Sequence, residues 1–265
     1  DYTAIEKYHG FADYRGGGHF SGRITTPIVA AGAILIQALA AKGIFIGSHI
    51  KQCGPILDTP FCDYANEIPK MNEALFPVLD TKAEGAMRTY IEQAALEGDS
   101  VGGVLETAII GVPSGVGEPW FDSMESMLAH AIFSVPAVKG VEFGKGFAFA
   151  QLKGSEANDA FVMKDGEVKT KTNHNGGING GITNGMPIVF STVIKPTPSI
   201  YKVQETVDIQ TKENVQLQIQ GRHDPAIIHR ARVVIDSMAA IVVADQLTLR
   251  YGTDWLAKEM EVCGQ

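Results

Sequence analysis

Residues 24–41 are apolar at every position except Thr25, Thr26 and Gln37. A run of that length approaches a membrane span and must otherwise be covered by protein. It is rich in Ala and Gly, begins with Pro27 and stops at Lys42-Gly43. Short apolar helices of that kind belong in a protein core. Proline suits the first helical position, with Thr25 or Thr26 as N-cap. The run therefore predicts a buried helix over 27–41 rather than a membrane anchor. The sequence carries no secretory signal pattern.

The segment feeding that helix is Arg15-Gly-Gly-Gly-His-Phe-Ser-Gly-Arg23. Glycine allows positive φ and close backbone approach to a ligand. Arginine offers a planar fork that matches phosphate and carboxylate, and a helix N-terminus attracts anions. The segment reads either as an anion cradle or as a glycine-rich turn with surface arginines. It is not a Walker loop, because no GxxxxGK[ST] pattern is present.

The pattern of elements continues through 265 residues, a length that fits one large domain or two small ones. No composition break divides them, so residues 1–265 are expected to form one domain. A strand is predicted over 44–51. A looser, proline-bearing stretch follows over 53–80, in which Ile56, Phe61 and Phe76 suggest packing. Thr81-Lys-Ala-Glu84 has the form of a capping box and opens a helix to Leu96, closed by Gly98. A strand over 101–112, a helix over 121–133 and a strand over 140–150 come next. His174–Gly185 is dense in glycine. A strand over 187–194 leads to Lys195-Pro-Thr-Pro-Ser199. Alternating residues over 204–220 predict a hairpin turning near 212–214, and an apolar helix runs over 227–250. Helices interspersed with hairpins favour an α+β fold over a doubly wound parallel sheet.

Net charge is −8, which argues against non-specific nucleic-acid binding. Three cysteines (Cys53, Cys62 and Cys263), without CxxC spacing, argue against a disulfide framework and a structural zinc site. A reducing, cytoplasmic setting fits that count. His223-Asp224 with His229 is a weak metal pattern, and no metal is expected. Three segments, Arg15–Arg23, His174–Gly185 with Lys195–Ser199, and Gly221–Pro225, are expected to converge around one polyanionic ligand.

Ordered motifs then carry a resemblance. Asp1-Tyr-Thr3, Asp13-Tyr-Arg-Gly-Gly-Gly18, Ser21-Gly-Arg23, Gly111-Val-Pro-Ser-Gly-Val-Gly-Glu-Pro119, Ala137-Val-Lys-Gly-Val-Glu142, His174-Asn-Gly-Gly-Ile178, Lys195-Pro-Thr197 and Gly221-Arg-His-Asp-Pro225 recur in that order across the chain. With them the chain resembles the chorismate synthase family. The resemblance implies a β-α-β layered sandwich with antiparallel sheets around core helices, and a homotetramer. It implies the 1,4-elimination of phosphate from 5-enolpyruvylshikimate 3-phosphate to give chorismate, with reduced FMN required and no net redox change. NADPH is an implied source of reducing equivalents.

By the same resemblance, His19, Phe20, Ser21, Pro136, Ala137, Gly180, Lys195, Pro196, Thr197, Pro198, Ser199 and Arg222 lie where the family contacts flavin. Ser21, Arg23 and Arg222 lie where it holds the substrate's phosphate and carboxylates. Asp224 matches a proposed base near flavin N5, and Ser21 is the second catalytic candidate. Asp224 also has the form of an N-cap for the helix after Pro225. The family's N-terminal part carries two acid histidines, in a Gly-Glu-Ser-His-type and an Arg-Pro-Gly-His motif. This sequence starts where the second would end. On that ground the 265-residue chain is expected to give no measurable chorismate alone, and to regain activity when that part is supplied. A flavin-dependent oxidoreductase and an inactive FMN-binding fragment are the alternatives.

Overall fold

A computed structural model describes residues 2–13 and 15–257, with His19 described by its backbone alone. Asp1 and Cys263 lie outside the described residues. The elements are α1 (Tyr2–Lys7), α2 (Thr26–Ala40), β1 (Phe45–Cys53), β2 (Ile56–Leu57), α3 (Tyr64–Glu73), α4 (Thr81–Leu96), β3 (Gly103–Ile110), α5 (Met124–Phe133), β4 (Val138–Phe143), α6 (Gly154–Ala157), β5 (Phe161–Lys164), β6 (Glu167–Thr170), β7 (Ile178–Asn179), β8 (Ile182–Thr183), β9 (Ile188–Ile194), β10 (Gln204–Asp208), β11 (Glu213–Leu217) and α7 (Ile228–Tyr251).

The central sheet has the order β2-β1-β3-β9-β4, and every neighbouring pair is antiparallel. β5–β6, β7–β8 and β10–β11 form separate two-stranded ribbons. The α+β expectation holds. Register fixes two ends of the sheet. Cys53 pairs with Gly103, Gly103 with Ile194, and Ile194 with Val138; we call this the Cys53 end. At the opposite, Phe45 end, Phe45 pairs with Ile110, Ile109 with Ile188 and Phe143 with Phe190.

α7 is the central helix. Its small residues Ala239, Ala240 and Ala244 let it be buried on more than one side. It starts at the Cys53 end, where a side chain on Gly103 would strike Ile228, and finishes near Gly115, which faces Arg250. Leu105, Ile109, Ile188 and Phe190 from the sheet join Leu128, Ile132, Ile235, Val243 and Leu247 in one buried cluster. Full burial of each such side chain contributes roughly 1.5–3 kcal/mol.

α2 turns directly into β1, with the Ile44 amide donating to the Leu39 carbonyl at 3.0 Å. It runs back beside α7 and touches it at Gly32, where any Cβ would collide with Ser237. The expectation of a buried helix is corrected. Within α2 only Gly32 and Leu39 are buried, and Ile34 is 69% exposed. The close crossing at glycine seats one narrow stripe, with Ile28, Val29, Leu35 and Ile36 packed partly against the core beside it and Ile34 turned outward. By length and composition residues 22–40 could also cross a membrane.

Other boundaries shift for local reasons. α3 interrupts the stretch read as loose; Asp63 caps it through the Asn66 amide, and Pro69 inside it masks the helical pattern. α4 is capped by Asp80, whose carboxylate accepts from the Lys82 amide at 2.9 Å, not by Thr81. The strand predicted over 140–150 ends at Phe143, because Gly144 and Gly146 take φ of 55° and 49° and a 3-10 turn follows over Gly146–Gln151. α5 begins at Met124, after a 3-10 turn at Trp120–Asp122.

Candidate active site

The Cys53 end gathers most of the residues singled out by sequence. β9 delivers Lys195 there, and its amide donates to the Ala137 carbonyl at 2.9 Å. Ala137 precedes β4 and holds a positive φ of 75°, a strained conformation for a residue with a side chain. Pro136 thereby lies beside the Lys195–Ser199 segment. The Ser100 hydroxyl donates to the Thr197 carbonyl at 2.6 Å. The Thr197 hydroxyl oxygen is buried without a hydrogen-bond partner, which leaves a donor for a ligand. A groove of about 480 Å³ runs past Gln52, Tyr90, Ser100, Val104, Val193 and Lys195.

The Gly221–Pro225 turn closes on the same end. The Val101 amide donates to the Pro225 carbonyl at 2.8 Å. The ring of His223 meets that of Tyr201 edge-on at 4.6 Å, and one of its nitrogens lies 3.1 Å from the Ile219 carbonyl. Arg222 is exposed. Asp224 is held by both arms of Arg230, at 3.0 and 2.8 Å. The Arg230 guanidinium holds the Asp224 carboxyl below the usual carboxylate range against a smaller opposing effect of burial; Arg222 and His229 add to it. The capping role expected for Asp224 is not found: Ile227 occupies the N-cap of α7, without a side-chain cap.

The N-terminal cradle enters from α2, whose antiparallel run beside β1 points its first turn toward the Cys53 end. Its residues are mostly exposed. Asp13 pairs with Arg15 through both carboxylate oxygens, at 2.9 and 3.0 Å. The Ser21 hydroxyl caps a 3-10 turn by accepting from the Arg23 amide at 3.3 Å. Arg23 itself points to solvent. Phe20 lines a separate groove of about 550 Å³ with Ala4, Tyr8 and Phe11. The His19 side chain lies outside what the structure describes.

One expected convergence fails. The His174–Gly185 segment sits at the Phe45 end, where the Thr183 amide donates to the Val116 carbonyl, the Val116 amide to the Thr183 hydroxyl and the Met124 amide to the Gly181 carbonyl. The full length of β9 separates it from Lys195. Gly180, with φ of 60° and open space around it, lies at that far end. Asp159 pins this segment. Its buried carboxylate accepts from the Thr172 hydroxyl, the His174 and Asn175 amides and the Asn175 side chain, at 2.6–2.8 Å. Those bonds hold its carboxyl below the ordinary range in spite of burial.

Two buried polar groupings escaped the sequence reading. On the outer sheet face His49 lies between Asp58, at 2.9 Å, and Glu106, at 3.3 Å. Lys51 joins Glu106 and Ser191. Asp58 also accepts the Leu79 and Asp80 amides, clasping the excursion at both ends. On the inner face Asp236 meets Ser48 and Arg232, and burial pushes its carboxyl up to about 6. Ser48, His49 and Lys51, polar residues within a largely buried strand, were the available signal.

Comparison with known proteins joins this geometry to a lineage. A family model described as chorismate synthase matches residues 1–248. The chain is 46% identical over 256 residues to the chorismate synthase of Thermococcus gammatolerans, covering 94% of this chain and 69% of that protein. It is 47% identical over 250 residues to that of Pyrococcus abyssi, with the same coverage. A solved crystal structure of chorismate synthase superposes with a TM-score of 0.77 at 29% identity, over 95% of this chain and 71% of the other. The motif order, the antiparallel α+β fold and these matches agree: the chain belongs to the chorismate synthase family.

Proposed function

We propose that this protein catalyses the 1,4-elimination of phosphate from 5-enolpyruvylshikimate 3-phosphate to give chorismate, a lyase reaction of aromatic biosynthesis. Support comes from the Cys53 end, where the Ser100 hydroxyl donates to the Thr197 carbonyl, Lys195 lines the neighbouring groove and the Val101 amide donates to the Pro225 carbonyl beside Asp224, in a chain of this family.

The chemistry of the end suits the ligands. The substrate bears two carboxylates and a phosphate. Arg222 and Lys195, with Arg23 entering from the cradle, supply cations to balance them. Cations fixed near the leaving phosphate stabilise the charge that develops as its C–O bond breaks. The Thr197 hydroxyl and the Lys195 ammonium are donors suited to a flavin phosphate or carbonyl, so the residues fit FMN. When bound, the reduced flavin supplies transient electron density with no net redox change. Pro136 and Ala137, and Pro196, Pro198 and Ser199, would form the walls of that pocket. Asp224, kept ionised, would accept a proton, and Ser21 would orient the phosphate. Gly180 stands apart from this arrangement. The wider reading is a single-domain, cytoplasmic homotetramer that acts in solution, with NADPH as the source of reducing equivalents.

The test is product analysis with reduced FMN, on the 265-residue chain alone and with the N-terminal part of a relative supplied in trans. Equimolar phosphate and chorismate without stoichiometric flavin oxidation in either arm supports the proposal. Stoichiometric flavin oxidation points to an oxidoreductase, and no product in either arm overturns the reading.

A further inference from the structure

We infer that Arg230 is a positioning residue for Asp224: its guanidinium fixes the orientation of the carboxylate at the mouth of the site. This rests on the reading of Asp224 given above. The geometry is that of a matched fork. Two guanidinium nitrogens reach two carboxylate oxygens at 3.0 and 2.8 Å, which orients a carboxylate as well as charging it. Both partners are anchored. The Arg230 amide donates to the Ile227 carbonyl at 3.0 Å in the first turn of α7, and the Pro225 carbonyl beside Asp224 receives the Val101 amide.

The surroundings leave this work to Arg230. Arg222 and His229 act on Asp224 through charge, without a hydrogen bond to it. His229 is turned toward the ring of Phe76, at 5.9 Å, and Arg88 from α4 stacks over the same ring at 4.4 Å. The pair is also a poor structural staple. Its side chains are 58% and 34% exposed, and exposed ion pairs contribute little to stability. A bidentate fork occupies two of the carboxylate's lone-pair positions and leaves the others open to accept a proton.

Three variants separate charge from orientation. Arg230→Gln loses both, Arg230→Lys keeps the charge but not the fork, and Asp224→Asn removes the carboxylate. The first readout is independent of turnover: the Asp224 carboxyl is titrated by carbon NMR in the intact protein. Its midpoint should move up in Arg230→Gln and stay near the parent value in Arg230→Lys. The second is turnover with the N-terminal part of a relative supplied in trans, where both Arg230 variants should lose about tenfold to a hundredfold in kcat, from the misplaced group, with little change in KM. An unmoved midpoint in Arg230→Gln overturns the inference, as does full kcat in Arg230→Lys. Undiminished turnover in Asp224→Asn overturns the reading of Asp224 instead, while the titration still decides what Arg230 does to its charge.

Discussion

At the Phe45 end of the sheet, residues 174–185 are drawn in and tied down, with Asp159 taking hydrogen bonds from three residues. At the Cys53 end, residues 195–199 and 221–225 are fixed through their backbones while Arg222 stays exposed and the Thr197 hydroxyl stays unpartnered. Both ends are built from glycine, proline and polar residues. At the first, glycine answers crowding: a side chain on Gly144 would run into the His174 carbonyl, and one on Gly176 into the Val189 carbonyl. At the cradle, Gly16 and Gly18 have open space around them. Glycine density alone therefore does not mark a site. Unpartnered buried oxygens occur at both ends, on Asn173 and Glu125 at the first and on Thr197 at the second; the exposed cation Arg222, together with an unpartnered hydroxyl, is what sets the Cys53 end apart.

The largest effect expected is at the open end. Asp224→Asn should lower turnover by about 10²–10⁴-fold, the usual contribution of a general base, while FMN binding and melting temperature stay close to the parent. Loss of flavin binding together with the fold would mean that the Arg230 pair had been structural. At the closed end the pattern should invert. Asp159→Ala strands several buried donors, and a loss of about 3 kcal/mol in urea unfolding is expected. A loss below about 1 kcal/mol would break the claim that this end is held by its polar staple.

Arg222→Ala should lower kcat/KM by roughly tenfold to a hundredfold with the fold intact, because a charged hydrogen bond to a bound anion is worth roughly 1.5–3 kcal/mol. Normal turnover would remove it from the site. The smallest effect is a slope with pH. Burial works against charge on His49, but its bonds to Asp58 and Glu106 outweigh that and raise its pKa above the ordinary 6.5. A raised folded value means stabilisation that is complete below the ordinary histidine range and lost as pH rises through the folded value. Asp58 and Glu106 are both lowered, so their contribution stands above the ordinary carboxylate range and fades as pH falls through their folded values. Unfolding midpoints should decline toward alkaline pH, and His49→Gln should flatten that decline. An alkaline slope unchanged by the substitution would remove the clasp from the stability of this face.

Much of this was legible because it is local. The runs behind α2, β1, β3, β9 and α7 are long and apolar, and turn residues bound them closely. α3 was not legible, since Pro69 sits inside it and its buried residues are few. The exposed face of α2 was not legible either, because its composition says nothing of which stripe meets α7. In the site, Lys195–Ser199 and Gly221–Pro225 could be named from sequence. Their separation from His174–Gly185 could not, because it depends on β9 crossing the sheet. The bonds of Asp159 to residues 172–175, of His49 to Glu106 and of Asp236 to Ser48 join residues well apart in the chain, and no spacing rule announces them; only the Arg232–Asp236 pair follows the helical i,i+4 spacing. The Asp224–Arg230 pair is near in sequence but straddles the start of a helix, where no fixed periodicity applies.

Whether ligand chemistry belongs to the Cys53 end is decided by amide hydrogen exchange measured with and without saturating FMN. Exchange should slow at residues 195–199 and 221–225 on binding, with residues 174–185 already slow and little changed. Protection confined to residues 174–185, with the Cys53 end unaffected, would contradict that assignment.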